Sequence, residues 1–221
     1  MRILHTSDWH LGQHFMGKSR QAEHQALIDW LLVQVVEQAV DAVLIAGDIF
    51  DSGTPPSYAR ELYSQLVVRL HEAGVGLLLL GGNHDSAATL GESRELLAYL
   101  GATVISAASA DAARQVVVLA QRNGEPGCIV CAIPFIRPRD VLQSQAGQSA
   151  EDKQLALQTA IQAHYSAVFV AASERQQTLQ DELGRKLPLI ATGHLTTVGD
   201  STSESVREIY VGALAAFPTS A

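Results

Sequence analysis

Short apolar runs alternate with stretches of helical periodicity through the first half of the chain. Arg2 to Thr6 predicts a strand, and Arg20 to Ala39 a helix with Leu27, Leu31, Val35 and Ala39 on one face. Ala42 to Ala46 (AVLIA) and Val75 to Leu80 carry only apolar residues and glycine, the pattern of buried strands. Between them, Pro56 to Ala73 predicts a second helix. It has proline in its first turn, Leu62, Leu66 and Leu70 on one stripe, and Gly74 as its stop signal. A helix from about Glu92 to Leu100 and a short strand at Thr103 to Ile105 continue the series. Strand–helix–strand alternation implies a parallel sheet with helices packed on its faces.

The middle of the chain changes character. Gln115 to Ala120 and Cys128 to Pro134 flank RNGEPG, and the Asn123-Gly124 pair within it is a hairpin signal. An antiparallel element therefore joins the parallel one. Ala150 to Leu183 is helical in pattern, with a break or bend expected between His164 and Ser173, where the apolar periodicity degrades. Leu187 to Thr192 (LPLIAT) predicts a further buried strand, and Ser201 to Glu208 a polar loop. No internal repeat or low-complexity tract interrupts this order.

Composition narrows the class. At 221 residues and 47% hydrophobic content, one large domain with a sizeable core is expected. The longest apolar-plus-glycine run, Ala73 to Gly82, is too short for a bilayer span of about 20 residues. The N-terminal MRILHTSDWH lacks the apolar core of a secretory signal, so a cytoplasmic protein is expected. Cys128 and Cys131 have C-x-x-C spacing, but no second pair exists, and on a strand positions three apart face opposite sides. Two small buried hydrophobes are the expectation there. The net charge of −8 argues against a chain that grips phosphate backbones unaided. A nucleic-acid substrate would need cations or another chain to supply positive charge.

Polar residues with chemical potential fall at four strand ends. The first strand runs into Ser7-Asp8-Trp9-His10, AVLIA into Gly47-Asp48, GLLLL into Gly81-Gly82-Asn83-His84-Asp85, and PLIAT into Gly193-His194. In a parallel sheet the C-terminal strand ends share one edge, where open α/β proteins bind ligands. Singly, each residue has an ordinary explanation: a helix cap, an Asx turn or a hydrogen-bonded surface histidine. Together they do not, because turns favour glycine, asparagine and aspartate but not three histidines. Mixed oxygen and imidazole donors suit Mn, Zn or Fe, whereas all-oxygen sets suit Mg or Ca. His24 and His71 on helices, His164 within or beside one, and His5 in the first strand have no assigned part, and His14 lies near enough to watch.

Asp8-x-His10, Gly47-Asp48-x-x-Asp51, Gly82-Asn83-His84-Asp85 and Gly193-His194 resemble, in order, the motifs of the calcineurin-like metallophosphoesterases. TSDWHLG, GDIFD, GNHDS, IPFIRPRD and ATGHLTTVG are similar to the SbcD-type bacterial nuclease subunits within that family. The resemblance implies an α/β fold built as a two-sheet β sandwich flanked by helices, holding two divalent metal ions. Asp8 and His10 would hold the first metal, Asp48 would bridge both, and Asn83 and His194 would hold the second. His84 would be the catalytic residue over the phosphate, and Asp51 and Asp85 would orient histidines. Mn2+ is the implied ion, with Mg2+, Fe2+ and Zn2+ as other fits.

The implied activity is hydrolysis of DNA ends and hairpins in replication and recombination, with an SbcC-type ATPase as partner, a homodimer in the full-length protein and no membrane. The family pattern closes with Gly-His-x-His, and none follows His194. On the resemblance, 1–221 is then an incomplete nuclease domain, without its capping domain and partner-binding helices. Two other readings stay open: a phosphatase or phosphodiesterase acting on small molecules or phosphoproteins, and a non-catalytic scaffold. Residues that touch DNA are not legible, Arg137 and Arg139 being candidates against the plainer reading of solvated loop arginines.

Overall fold

The computed structural model describes residues 1–142 and 149–195, together with the backbone of 197–198 and 217–218. In chain order the elements are β1 (Ile3–Thr6), β2 (His14–Phe15), β3 (Lys18–Ser19), α1 (Gln21–Glu37), β4 (Ala42–Ala46), α2 (Ser57–Glu72), β5 (Gly76–Leu80), α3 (Ala87–Gly91), α4 (Arg94–Tyr99) and β6 (Ala102–Ile105). A 3-10 turn at Ala112–Gln115 leads to β7 (Val116–Ala120), β8 (Pro126–Ile133), α5 (Pro138–Val141), α6 (Ala150–Leu183), β9 (Leu189–Gly193), β10 (Thr197–Val198) and β11 (Phe217–Pro218). The polar loop expected at Ser201 to Glu208 lies outside the described residues.

Four parallel strands in the order β1-β4-β5-β6 form one sheet, and β7-β8-β9 form a second, antiparallel at β7-β8 and parallel at β8-β9. Strand alternation then explains how the layers stack. Val43, Ile45, Leu77 and Leu79 face α1 and α2, where they meet Leu31, Val35, Leu62, Leu66 and Leu70. Their neighbours Ala42, Leu44, Ala46, Leu78 and Leu80 face the other way and pack on Leu119, Cys128, Val130 and Ala132 of the second sheet. The outer face of that sheet, with Ile129, Cys131 and Ile133, packs on Ile161, Val168, Ala172 and Leu179 of α6. The order is helices, sheet, sheet, helix. Helices therefore cover one face of the parallel sheet only, and the second sheet covers the other. Cys128 and Cys131 are buried free thiols on opposite faces of β8, as the spacing required.

Three local readings are corrected. The buried face of α1 is His24, Ile28, Leu31, Leu32 and Val35. Ala39 lies past the helix in a left-handed turn, and His24 is a core residue. α6 is one continuous helix, because its buried stripe runs through Tyr165 and Ala172, whose phenol and short methyl weaken the apolar signal. A Ser149–Asp152 capping box starts it and Gly184, at φ 68°, ends it. β9 is not buried throughout: it is an edge strand among the described residues, and Ile190 is 36% exposed. Unforeseen were the β2–β3 hairpin and α3. Among the described residues no helix is long and apolar enough to cross a membrane.

Candidate metal centre

The ends of β1, β4 and β5 turn sharply at one edge of the parallel sheet, and those of β1 and β4 are tied to one another through the backbone. Asp8 N–H donates to Gly47 O at 3.1 Å, His10 N–H to Asp48 O at 2.9 Å, and Leu11 N–H to Ile49 O at 2.9 Å. Asp8, His10 and Asp48 have φ of 57°, 48° and 50°, a left-handed conformation that Asp and His adopt more readily than bulkier residues. It costs roughly 1–2 kcal/mol per residue, and three such residues in one cleft mark a strained, over-determined site. Close approach requires glycine at two positions. A Cβ on Gly82 would collide with the Asp48 carboxylate, and one on Gly47 with the His194 ring.

Asp48 sits at the centre, 1% exposed. Its carboxylate accepts the His84 N–H at 2.9 Å and lies 3.4 Å from His194 Nε2 and 3.7 Å from His10 Nε2. Two donor groups share it. His10, Asp48 and His84 place one ligand atom each within 4.8 Å of one another, and so do Asp8, Asp48 and His194. Asn83 Oδ1 lies 2.9 Å from His194 Nε2. All six residues singled out at the strand ends therefore converge, Asp8 sharing a group with Asp48 and His194. A cleft of about 280 Å3 opens at Asp8, Asp48, Asn83 and His194, lined also by His5, Ser7 and Leu195.

Ring hydrogen bonds define what the histidines can do. His194 Nδ1 lies 2.8 Å from Ala46 O, and His84 Nδ1 2.9 Å from Asp51 O. A carbonyl only accepts, so each Nδ1 carries a proton and each Nε2 is the exchangeable atom. His194 Nε2 then faces two acceptor oxygens, those of Asn83 and Asp48. Burial disfavours the charged His194 ring, but the Asp48 carboxylate outweighs it and raises the pKa. Asp48 itself is held low: burial works against its charge, and His194 with the His84 N–H overcomes it. A nitrogen lone pair and two oxygens aimed at one point are a cation's donor set. Among the described residues His10 Nδ1 is buried without a hydrogen-bond partner, 3.4 Å from Asp51 Oδ1.

Asp51 touches both histidines of its group, through its carboxylate to His10 and its carbonyl to His84. Asp85 does otherwise. Its carboxylate, 3% exposed, accepts the N–H groups of Ile49 at 3.1 Å, Phe50 at 2.9 Å and Gly82 at 2.9 Å, so it orients two loops rather than a histidine. Burial, and the nearby Asp48 charge, push its pKa up against those three donors. Arg137 is no solvated loop arginine: it donates to Gly82 O at 3.2 Å and Asp85 O at 2.7 Å. Arg139 is 77% exposed. Among the described residues the His14 ring bonds only its own turn, at Gly12 O. The cleft position of His5 went unforeseen, although alternation puts it on the Ile3 face of β1, toward the second sheet, where its Nε2 lies 3.1 Å from Thr192 Oγ1.

A two-sheet sandwich with Asp, Asn and His at its strand ends defines a metallophosphoesterase. The family model for calcineurin-like phosphoesterases matches residues 1–198, and the chain belongs to that family. Among curated proteins it is similar to the SbcD component of the SbcCD nuclease of Escherichia coli K12, 53% identical over 99% of this chain and 52% of that protein. The protein of the same name from Rhodobacter capsulatus is 36% identical over 99% of this chain and 54% of its own length. That of Bacillus subtilis is 27% identical over 96% and 51%. The chain thus spans about half the length of these relatives. The family works with divalent metals, and the donor set around Asp48 fits them.

Proposed function

We propose that this chain is the metal-dependent phosphodiesterase domain of a DNA nuclease subunit that works with an SbcC-type ATPase. The observation that carries the reading is one buried carboxylate, Asp48, shared by two donor groups with a tautomer-fixed histidine, His84, beside it. Asp8, Asp48, Asn83 and His194 would hold one divalent cation and His10 with Asp48 the other, Mn2+ being the ion that mixed imidazole and carboxylate donors and the likeness to SbcD-type subunits favour. Such a pair of cations lowers the pKa of a water and draws charge from the phosphoryl oxygens.

The protein's own part is positioning and proton transfer. Asp51 O holds His84 Nδ1–H, so in the doubly protonated ring Nε2–H is the proton handed to the departing alkoxide, leaving the neutral imidazole. Asp51 also lies against His10, so one loop sets both rings. With a net charge of −8, the chain leaves much of the grip on DNA to the cations and to the partner protein that the relatives' shared name points to. Homodimer formation of the full-length protein belongs to the same proposal.

The test sets the full chain with Mn2+ against an end-labelled linear duplex and against a small aryl phosphate. Cleavage of the duplex supports the reading, and turnover of the aryl phosphate alone would instead assign a small-molecule phosphatase. His84→Ala should keep its cations and lose ~100 to 10,000-fold in turnover. Wild-type turnover in that variant would remove His84 from the chemistry.

A further inference from the structure

We propose that Arg137 is a positioning residue of the cleft: its guanidinium clamps the carbonyls on either side of Asn83 and His84 and sets Asn83 against His194 and His84 against His10. The segment after β8 runs beside the segment after β5. Phe135 N–H donates to Gly81 O at 2.8 Å, which brings the two backbones together. Two residues later the Arg137 guanidinium reaches Gly82 O at 3.2 Å and Asp85 O at 2.7 Å, the carbonyls that bracket Asn83-His84. The planar fork of arginine presents several N–H donors in fixed directions, so one side chain holds two acceptors at a set separation.

The clamp is itself held from behind. The guanidinium carbon lies 5.8 Å from the centre of the Phe135 ring, within cation–π range, and the Phe135 ring stands edge-on to His194 at 6.2 Å. Arg137 N–H donates to Asp140 Oδ2 at 3.0 Å, which fixes the start of α5. Both carbonyl bonds come from Nη2, so that nitrogen has no N–H left for a phosphate. Among the described residues the neighbouring Arg139 makes only a 3.8 Å approach to Asp140, and its side chain is 77% exposed. One side chain from the segment after β8 thus holds a loop of the first sheet.

This inference rests on reading the cleft as a phosphodiesterase site, and one arm of its test does not. In the metal-free full chain, Arg137→Ala should shift the Asn83 and His84 amide and His84 ring resonances. With Mn2+, kcat should fall by about 100-fold on both duplex DNA and bis-p-nitrophenyl phosphate, the scale of a misplaced catalytic group. The slope of log DNA affinity against log salt should stay at its wild-type value. Arg137→Lys keeps the charge without the fork, and its kcat should fall between the alanine variant and wild type. It carries the test if the alanine variant fails to fold.

A phosphate-contacting arginine behaves differently. Arg137→Ala would then lower the salt slope by about 0.9 and leave the small diester's kcat intact, while Arg137→Lys would act as wild type. That result overturns the proposal. If the wild-type protein cuts neither substrate, the phosphodiesterase reading fails. The resonances still decide Arg137, and unmoved Asn83 and His84 signals overturn its positioning role.

Discussion

The two sheets build the cleft in different ways. The parallel sheet contributes three loops that are locked to one another: Asp8 to Gly47, His10 to Asp48, Leu11 to Ile49, and the Asp85 carboxylate to three N–H groups at once. Its strands β4 and β5 are buried almost throughout. The second sheet contributes a single strand end, Gly193-His194, from an edge strand that is half-exposed along the described residues. Among the described residues His194 is held by its N–H to Ile133 O at 3.3 Å, Nδ1 to Ala46 O at 2.8 Å and Nε2 beside Asn83 Oδ1 at 2.9 Å, with the His5–Thr192 bond next to it. The lesson is that the site is over-determined on one side and adjustable on the other, with Asp48 and Arg137 joining the halves.

Removing the joint is the most severe way to break this arrangement. Asp48→Ala deletes the oxygen shared by both donor groups and the acceptor of the His84 N–H. Turnover should fall at least about 1,000-fold, since losing even one electrostatic partner of a transition state costs 100- to 1,000-fold. Calorimetric titration with Mn2+ should also show weakened binding at both groups. Wild-type cation stoichiometry and affinity in this variant would show that the groups do not depend on Asp48.

The rigid half is tested by Asp85→Ala, which leaves three buried N–H donors without an acceptor. Each such loss costs about 1–3 kcal/mol, so urea denaturation should show a loss of about 3 kcal/mol or more. A change under 1 kcal/mol would mean that the loops keep their places without that carboxylate, and the contrast between halves would weaken.

How much of this was legible follows from where the information sits. The strand ends Asp8-x-His10, Gly47-Asp48 and Gly82-Asn83-His84 could be read together because parallel strands finish on one edge. LPLIAT looked like another strand of the same kind, but its pairing with β8 rather than with the first sheet is a long-range fact that no local pattern carries. The same holds for the face of the parallel sheet that the second sheet covers: an all-apolar strand does not say whether helix or sheet lies against it. The roles of Asp85 and Arg137 escaped notice because both address backbone groups, which every residue has and no letter marks. At Gly47 and Gly82 the space left for His194 and Asp48 is a stricter requirement than the turn itself.

The adjustable half gives the smallest and most discriminating effect. Thr192 precedes Gly193-His194 on β9, and its hydroxyl meets His5 Nε2 of β1 at 3.1 Å, so one bond joins the edge strands of the two sheets beside the cleft. Thr192→Val keeps the shape and the β-branched preference for strand and removes only that bond. His5 is exposed, and water can satisfy its ring, so global stability should change by less than about 1 kcal/mol. The effect should appear instead as weaker binding of the cation held by Asp8 and His194, by less than about tenfold. Binding at the His10 group should be untouched, as calorimetry with Mn2+ can resolve. Equal weakening at both groups would mean that the second sheet's edge supports the whole cleft, and the division between a locked and an adjustable half would have to be redrawn.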